Sequence, residues 1–269
     1  MKGHGPAYIR NTVAIVSGKG GVGKSTLSVM LAASLAERGY RIGLLDVDLH
    51  GPSMPVMLGM EGMRLSRDDH GIIPLQRGNL KAVSIGFMLE HTDDALIWRG
   101  PLKHQIICEF LTEVQWGPLD CLIIDVPPGT GDEPLTVMQM CNDLDGVFVV
   151  TTPQRASAVD VRRCVTFCRK LKVPILGLIE NMHGIACPSC GVVFQVFPEG
   201  EGMRVSQEMH IDMLGSIPID PALASSCDCG YCMSKGSSSY DAMKTIADQA
   251  AFIILEHKEE QHENSRTAH

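Results

Sequence analysis

Nothing in the 269 residues is long and apolar enough to span a bilayer: no run approaches the roughly 20 residues that a membrane helix needs. An excess of basic charge is missing as well. Lysine and arginine number 23 against 31 acidic residues, a formal net charge of −8, so no surface built to neutralise phosphate backbones is expected and nucleic acid is not an expected partner. The opening "MKGHGPAYIRNTVAIVS" runs into a glycine-rich turn without a leader's cleavage site, so a soluble, cytoplasmic protein is expected. Internal repeats and low-complexity blocks are lacking too. What remains is 45% hydrophobic, enough for one sizeable core. One domain over residues 1–257 is therefore expected, ahead of a polar tail, 258–269, read as disordered. Ten cysteines in a chain of this size without a signal sequence point to metal rather than disulfides, and five of them fall in two clusters.

Short apolar runs recur at "VAIVS" (from Val13), "RIGLLDVD" (Arg41), "LKAVSIG" (Leu80), "CLIIDV" (Cys121), "GVFVVTT" (Gly146) and "PILGLIEN" (Pro174). Helical spacing of apolar residues covers 26–38, 134–142, 157–171 and 240–257. Such alternation predicts an α/β fold, a doubly wound, mainly parallel sheet with helices on both faces. Two stretches, 51–78 and 182–202, break the pattern and read as long loops, the second an insertion holding a CxxC.

"SGKGGVGKST" places Gly18, Gly23, Lys24 and Ser25 in the G-x-x-x-x-G-K-[ST] pattern, between a strand and a helix. Gly20, Gly21 and Gly23 let backbone N–H groups turn toward phosphates at a helix N-terminus. Lys24 then meets the β- and γ-phosphates and Ser25 holds Mg²⁺. The nucleotide-binding set is Gly18, Lys19, Gly20, Gly21, Val22, Gly23, Lys24, Ser25 and Thr26. Lys19 is surplus to this scheme, either a solvated surface lysine or a group that serves a neighbouring molecule. Asp46 and Asp48 share one face of a strand end, and Asp125 closes "CLIID", a strand-end carboxylate of the kind that reaches Mg²⁺.

"KGGVGKST" resembles the deviant Walker A loop of the MinD/ParA/nitrogenase-iron-protein class of dimeric ATPases. That resemblance implies that Lys19 crosses a dimer interface to the partner's nucleotide, making hydrolysis depend on dimer geometry. It implies further that "DVDLHGPSMP" is switch I, with Asp48 orienting the attacking water and Asp46 near Mg²⁺. "PPGTGD" would then be switch II. Asn181, at the end of a later strand, and the stretch from Pro218 to Asp220 would contact adenine.

"CPSCG" puts Cys187 and Cys190 on one short loop, half the four ligands that a closed zinc site or a four-iron cluster needs. A two-fold dimer supplies the other half if the loops meet at its axis; a redox pair and a free buried pair are the other readings. "SSCDCGYCMSKG" adds Cys227, Cys229 and Cys232, a possible second metal site, a set of ligands that takes over a cluster in cis with Cys187 and Cys190, or incidental thiols in a surface loop. His183 and His210 read as solvated loop histidines, and the remaining five cysteines as buried small hydrophobes.

Together, "VSGKGGVGKST", "DVDLHGPSMP", "IWRGP", "LIIDVPPGTGDEPLT", "CPSCG" and "LGSIPIDP" resemble, in order, the Mrp/ApbC family of iron–sulfur cluster carrier ATPases, over about residues 11–248. The resemblance implies a homodimer with ATP and Mg²⁺, slow hydrolysis, and a labile [4Fe–4S] cluster held by Cys187 and Cys190 of both subunits. That cluster would come from a donor and pass to apo iron–sulfur proteins. Because the sequence begins at the P-loop strand, the cysteine-bearing N-terminal extension of the eukaryotic cytosolic branch is expected to be absent. The alternatives are a MinD/ParA-like positioning ATPase and a zinc or nickel metallochaperone. The acidic end of "AFIILEHKEEQHENSRTAH" does not fit the basic amphipathic helix that a membrane-positioning protein needs, so no membrane partner is expected.

Overall fold

The computed structural model describes residues 9–48, 53–88, 100–141, 144–187, 189–190, 192–197, 200–230, 232 and 235–256. The parts of switch I at 49–52 and of "IWRGP" at 97–99, Pro188 and Gly191 of the cysteine turn, and the tail lie outside them.

The chain opens with β1 (Ile9–Ser17), the phosphate-loop turn and α1 (Lys24–Glu37), then β2 (Ile42–Asp46) and a single turn, α2 (Met54–Met57). Three short strands follow, β3 (Ser66–Asp68), β4 (Gly71–Ile73) and β5 (Leu75–Arg77), and then β6 (Leu80–Ser84), α3 (Gly100–Thr112), β7 (Leu119–Asp125) and α4 (Asp132–Met140). The second half runs β8 (Gly146–Thr151), α5 (Arg155–Lys170), β9 (Ile175–Ala186), β10 (Val193–Phe194), α6 (Glu201–Met209), β11 (Met213–Ile219), α7 (Pro221–Asp228) and α8 (Ser238–Ala251). A π-helical turn, Phe252–Glu256, ends the described chain.

The main sheet has the order β10-β9-β8-β1-β7-β2-β6-β5, with β11 also on β9. Strands β9, β8, β1, β7, β2 and β6 are parallel, as is β11 against β9; β5 and β10 run antiparallel to their neighbours. This is the doubly wound α/β architecture that the alternating pattern predicts. Successive residues of each central strand enter different cores because side chains alternate across a sheet. Cys121 and Ile123 of β7 pack with Leu27, Leu31 and Leu35 of α1 and Met243 and Ile246 of α8. Leu122 and Ile124 pack with Phe110 of α3, Val137 of α4 and Val161 and Val165 of α5.

The predicted helices are present, each beginning two residues earlier than its apolar periodicity because polar first turns carry no such signal. Four helices were not legible: α2 is one turn, and α3, α6 and α7 are short or follow stretches without clear start signals. The stretch 51–78 is not one long loop but holds α2, β3, β4 and β5, strands of three residues too brief to show alternation. Nor is 182–202 simply a loop. Strand β9 runs through it to Ala186 and turns back as β10, pairing Ala186 with Val193 and Ile185 with Phe194. Cys121, Cys141, Cys164 and Cys168 are buried as expected, whereas Cys108 is half-buried.

Ile123→Ala and Ile124→Ala open cavities on opposite faces of β7, and each is expected to cost about 2–5 kcal/mol in urea unfolding. A cost below about 1 kcal/mol for either would mean that its face is not close-packed.

Candidate functional site

Strand register assembles the site. Asp46 of β2 is opposite Asp125 of β7 on one side and Ser84 of β6 on the other, all at carboxyl ends of parallel strands. The crevice beyond such ends is where ligands bind in open α/β sheets.

Between β1 and α1 the backbone takes positive φ at Gly21 (77°) and Gly23 (81°), conformations that a side chain disfavours. A Cβ on Gly18 would lie 2.3 Å from the Asp160 backbone in α5, and one on Gly23 2.3 Å from Asn181 Nδ2. The loop is thus wedged between α5 and β9. Lys24 follows, 5% exposed, its Nζ donating to Asp125 Oδ1 at 2.8 Å and lying 3.5 Å from Asp48 Oδ2. Burial alone would lower the Lys24 pKa, but the charges of Asp125, Asp48 and Asp46 outweigh it and leave the ammonium more basic than usual. Ser28, one turn along α1, donates to the same Asp125 oxygen at 2.8 Å. Asp46 accepts from Ser84 Oγ at 2.7 Å and from the Asp48 N–H at 3.0 Å. Its carboxyl is pushed up to about 7, first by burial and then by the charge of Asp125.

Among the described residues Asp125 Oδ2 is buried with no hydrogen-bond partner. Such an acceptor normally has one. An oxygen-only donor set of carboxylates and the Ser25 hydroxyl suits a hard divalent cation such as Mg²⁺, so the residues present fit that ion.

Lys19 donates within its own chain, its Nζ 3.3 Å from Oε1 of Gln154, the residue that precedes α5, in an exposed hydrogen bond. Thr26 Oγ1 contacts Met57 Sδ of α2 at 3.7 Å. Asn181 is not at a strand end: β9 continues for five residues beyond it, although pairing with β8 stops at Glu180. Its Nδ2 donates to the Val22 carbonyl at 2.9 Å, so the amide braces the phosphate loop. Asp220 serves the fold: Oδ1 accepts from Ala222 N at 2.9 Å to cap α7, and Oδ2 accepts from Ser239 N and Oγ. Burial pushes its pKa up, and these hydrogen bonds more than reverse that. Pro218 is buried in β11 beside Ile217, the residue opposite Asn181.

The cysteine turn caps the β9–β10 hairpin, with Cys187 N donating to Val192 O at 2.9 Å. Cys187 is half-buried and Cys190 exposed. N–H groups of Ser189 and Cys190, then the Cys190 thiol, hold the Cys187 thiol below its ordinary pKa. His183 is not a solvated loop histidine; it lies in β9 and pairs with the buried carboxylate of Glu180, which also accepts from Gly202 N at 2.8 Å. His210, at the C-terminus of α6, adopts a left-handed conformation. Cys227 and Cys232 are buried, and Cys229 between them in sequence is exposed. Among the described residues no three His, Cys, Asp or Glu side chains form a group able to hold a metal.

Sequence reasoning missed Ser28, Ser84, Gln154 and Glu180. Ser28 was open to discovery, being four residues after Lys24 on a helix. Ser84 and Glu180 are selected by strand register, which no local motif encodes.

Gly23→Ala forces a Cβ into Asn181 at positive φ and is expected to weaken nucleotide binding at least tenfold in a fluorescent-nucleotide titration; unchanged affinity would mean that the loop adapts. For Asp46 the folded pKa lies above the unfolded one, so the fold binds the extra proton and stability falls as pH rises from about 4 to 7. Without nucleotide, Asp46→Asn should therefore raise Tm at pH 7 by roughly 2–4 °C per kcal/mol recovered, a gain that disappears near pH 4. An equal shift at both pH values would remove Asp46 as the cause.

Three comparisons with known proteins agree with this geometry. The model of the ParA family described as NUBPL iron-transfer P-loop NTPase matches residues 8–252. The iron-sulfur cluster carrier protein of Saccharolobus solfataricus is 46% identical over 250 residues, covering 91% of this chain and 84% of that protein. Among solved structures, a nucleotide-binding protein from Archaeoglobus fulgidus in complex with ADP superposes with a TM-score of 0.75 at 38% identity, covering 87% of this chain and 91% of that one. The cell division ATPase MinD of Pyrococcus furiosus shares the fold, with a TM-score of 0.67 at 22% identity over 90% of this chain and 98% of its own. The chain belongs to the NUBPL-type iron-transfer P-loop NTPases of the ParA family.

Proposed function

We propose that the chain binds and slowly hydrolyses ATP and carries an iron–sulfur cluster as its cargo. In this reading a [4Fe–4S] cluster sits between Cys187 and Cys190 of two copies of the chain and is passed to apo iron–sulfur proteins. Strand β9 carries the reading. It braces the phosphate loop through Asn181 and ends five residues later, next to the cysteine turn, a reach of roughly 17 Å at about 3.3 Å per residue. A change at the phosphates therefore has a short route to the thiols, one hydrogen bond and then the β9 backbone.

Lys24 exchanges its contact with Asp125 for the β- and γ-phosphates, neutralising charge as the terminal phosphoryl leaves. Asp125, Asp46 and Ser25 would hold Mg²⁺, which would supply charge neutralisation at the phosphate oxygens. Asp48 orients the attacking water. Lys19 leaves Gln154 and reaches the partner's nucleotide, so hydrolysis requires the closed dimer. Asn181 acts on the loop beneath the nucleotide, and Pro218 and Asp220 shape the base end of the crevice rather than read the base with the Asp220 carboxylate.

Two thiolates per chain leave a four-iron cluster half ligated, and a two-fold axis doubles them. Val192, Val193, Phe194 and Val196 are exposed on the hairpin and its continuation, an apolar surface suited to burial when two hairpins meet. The relative named as a cluster carrier supports the cargo assignment.

Anaerobic reconstitution with iron and sulfide on size-separated protein tests this. Wild type should gain visible charge-transfer absorbance in a dimer fraction, and Cys187→Ser/Cys190→Ser should lose it. Tight zinc without colour would replace the cluster carrier by a metallochaperone. In steady-state assays Lys19→Ala should keep nucleotide affinity within about threefold while hydrolysis falls at least tenfold; Lys24→Ala should lose both. Full hydrolysis in Lys19→Ala would sink the role in trans.

A further inference from the structure

Between the phosphate loop and the cysteine turn, β9 does not run straight. Asn181 lies opposite Ile217 of β11 and Ile185 opposite Ile219, so Met182, His183 and Gly184 face the single residue Pro218. Proline offers the ladder no N–H, and the surplus residues bulge at this point. Two of the three take positive φ, Met182 at 62° and Gly184 at 103°. Glycine is required at 184, because a Cβ there would lie 2.5 Å from the Phe194 carbonyl oxygen of β10. At Met182, which has a side chain, positive φ is strained and persists only where the surroundings fix it.

A buried carboxylate spans the bulge. Glu180 is 1% exposed, and the ring Nδ1 of His183 donates to its Oε2. The other oxygen, Oε1, accepts from Gly202 N at 2.8 Å in the first turn of α6. That turn comes so near that a Cβ on Gly200 or Gly202 would lie 2.6 Å from a Glu180 oxygen. The His183 side chain, 30% exposed, borders a narrow crevice with Gly184, Pro153, Gln195 and Gly200. Pro153 precedes Gln154, the partner of Lys19. The two sides of the bulge are unequally held. On one side Asn181 is bonded to the phosphate loop, and on the other two ladder pairs join β10 to β9.

We propose that His183 is a positioning residue: clamped by Glu180, it locks the Met182–Gly184 bulge as the hinge of the cysteine hairpin and so sets how Cys187 and Cys190 are presented. Its effect on a cluster rests on the reading of those two thiols as cluster ligands, whereas the hinge itself does not. Without the imidazole the bulge loses the contact that spans it, and the hairpin opens more often while the strands below Asn181 stay closed.

Hydrogen–deuterium exchange on the full, reduced, metal-free chain tests the hinge without cluster or nucleotide. His183→Ala should speed exchange of backbone amides in 183–197 at least about fivefold and leave peptides of β1, α1 and β7 unchanged. His183→Asn, whose amide nitrogen stands where the ring Nδ1 did, should return the rate to within about twofold of wild type. His183→Gln, whose amide reaches the Nε2 position instead, should not, and it serves in place of the alanine variant if that one fails to fold. The second measurement is loss of iron from the reconstituted chain to a ferrous chelator. It should be at least about threefold faster in His183→Ala and restored in His183→Asn, with nucleotide affinity within about twofold of wild type in both. Unchanged hairpin exchange in His183→Ala, a rise shared equally by the central strands, failure of His183→Asn to restore the rate, or equal restoration by His183→Gln would each overturn the clamp. Faster exchange with unchanged iron loss would overturn the positioning role. A wild type that takes up no cluster would defeat the cluster reading instead, and the exchange rates would still decide the hinge.

Discussion

A buried ammonium among strand-end carboxylates is the constraint on which the site depends. Register places Asp46 beside Asp125, and Lys24 is the cation that makes their shared burial tolerable. Two like charges at adjacent strand ends in a dry interior raise one another's pKa, and here Asp46 bears that effect. In the proposed reading a divalent ion would take the place of the ammonium beside the carboxylates, and phosphates would take the ammonium over. Binding would then be an exchange of partners among groups already desolvated.

How much of this was legible depends on whether the information is local. The phosphate loop is a local object, since its glycines answer to φ requirements and its lysine to the start of one helix. Asp46 and Asp125 were legible because each ends an apolar strand, and Asp48 because it follows two residues after one. Their mutual arrangement was not, nor was the part played by Ser84, because which strand lies beside which is decided by the whole sheet. Asn181 was identified as functional through family likeness, yet its contact is with the Val22 carbonyl, a pairing across 159 residues. The hairpin escaped because β10 has only two residues, and the three C-terminal cysteines looked equivalent until α7 separated two buried thiols from one exposed.

Glycine plays two parts around the loop. Gly21 and Gly23 supply backbone conformations, whereas Gly18 supplies space, allowing α5 to approach. The approach matters because Gln154 just ahead of that helix holds Lys19. The element that crowds the loop is thus also the one that retains its surplus lysine in the single chain.

The brevity of β10 has a thermodynamic meaning. Among the described residues two ladder pairs join it to β9, and beyond Asn181 the other flank of β9 is held by β11 alone, whereas below Asn181 it lies between β8 and β11. Backbone amides at the tip can therefore exchange with solvent through a small local opening, at a free energy far below that of global unfolding. Such an opening at the hairpin would leave the central strands, and the phosphate loop that β1 leads into, closed.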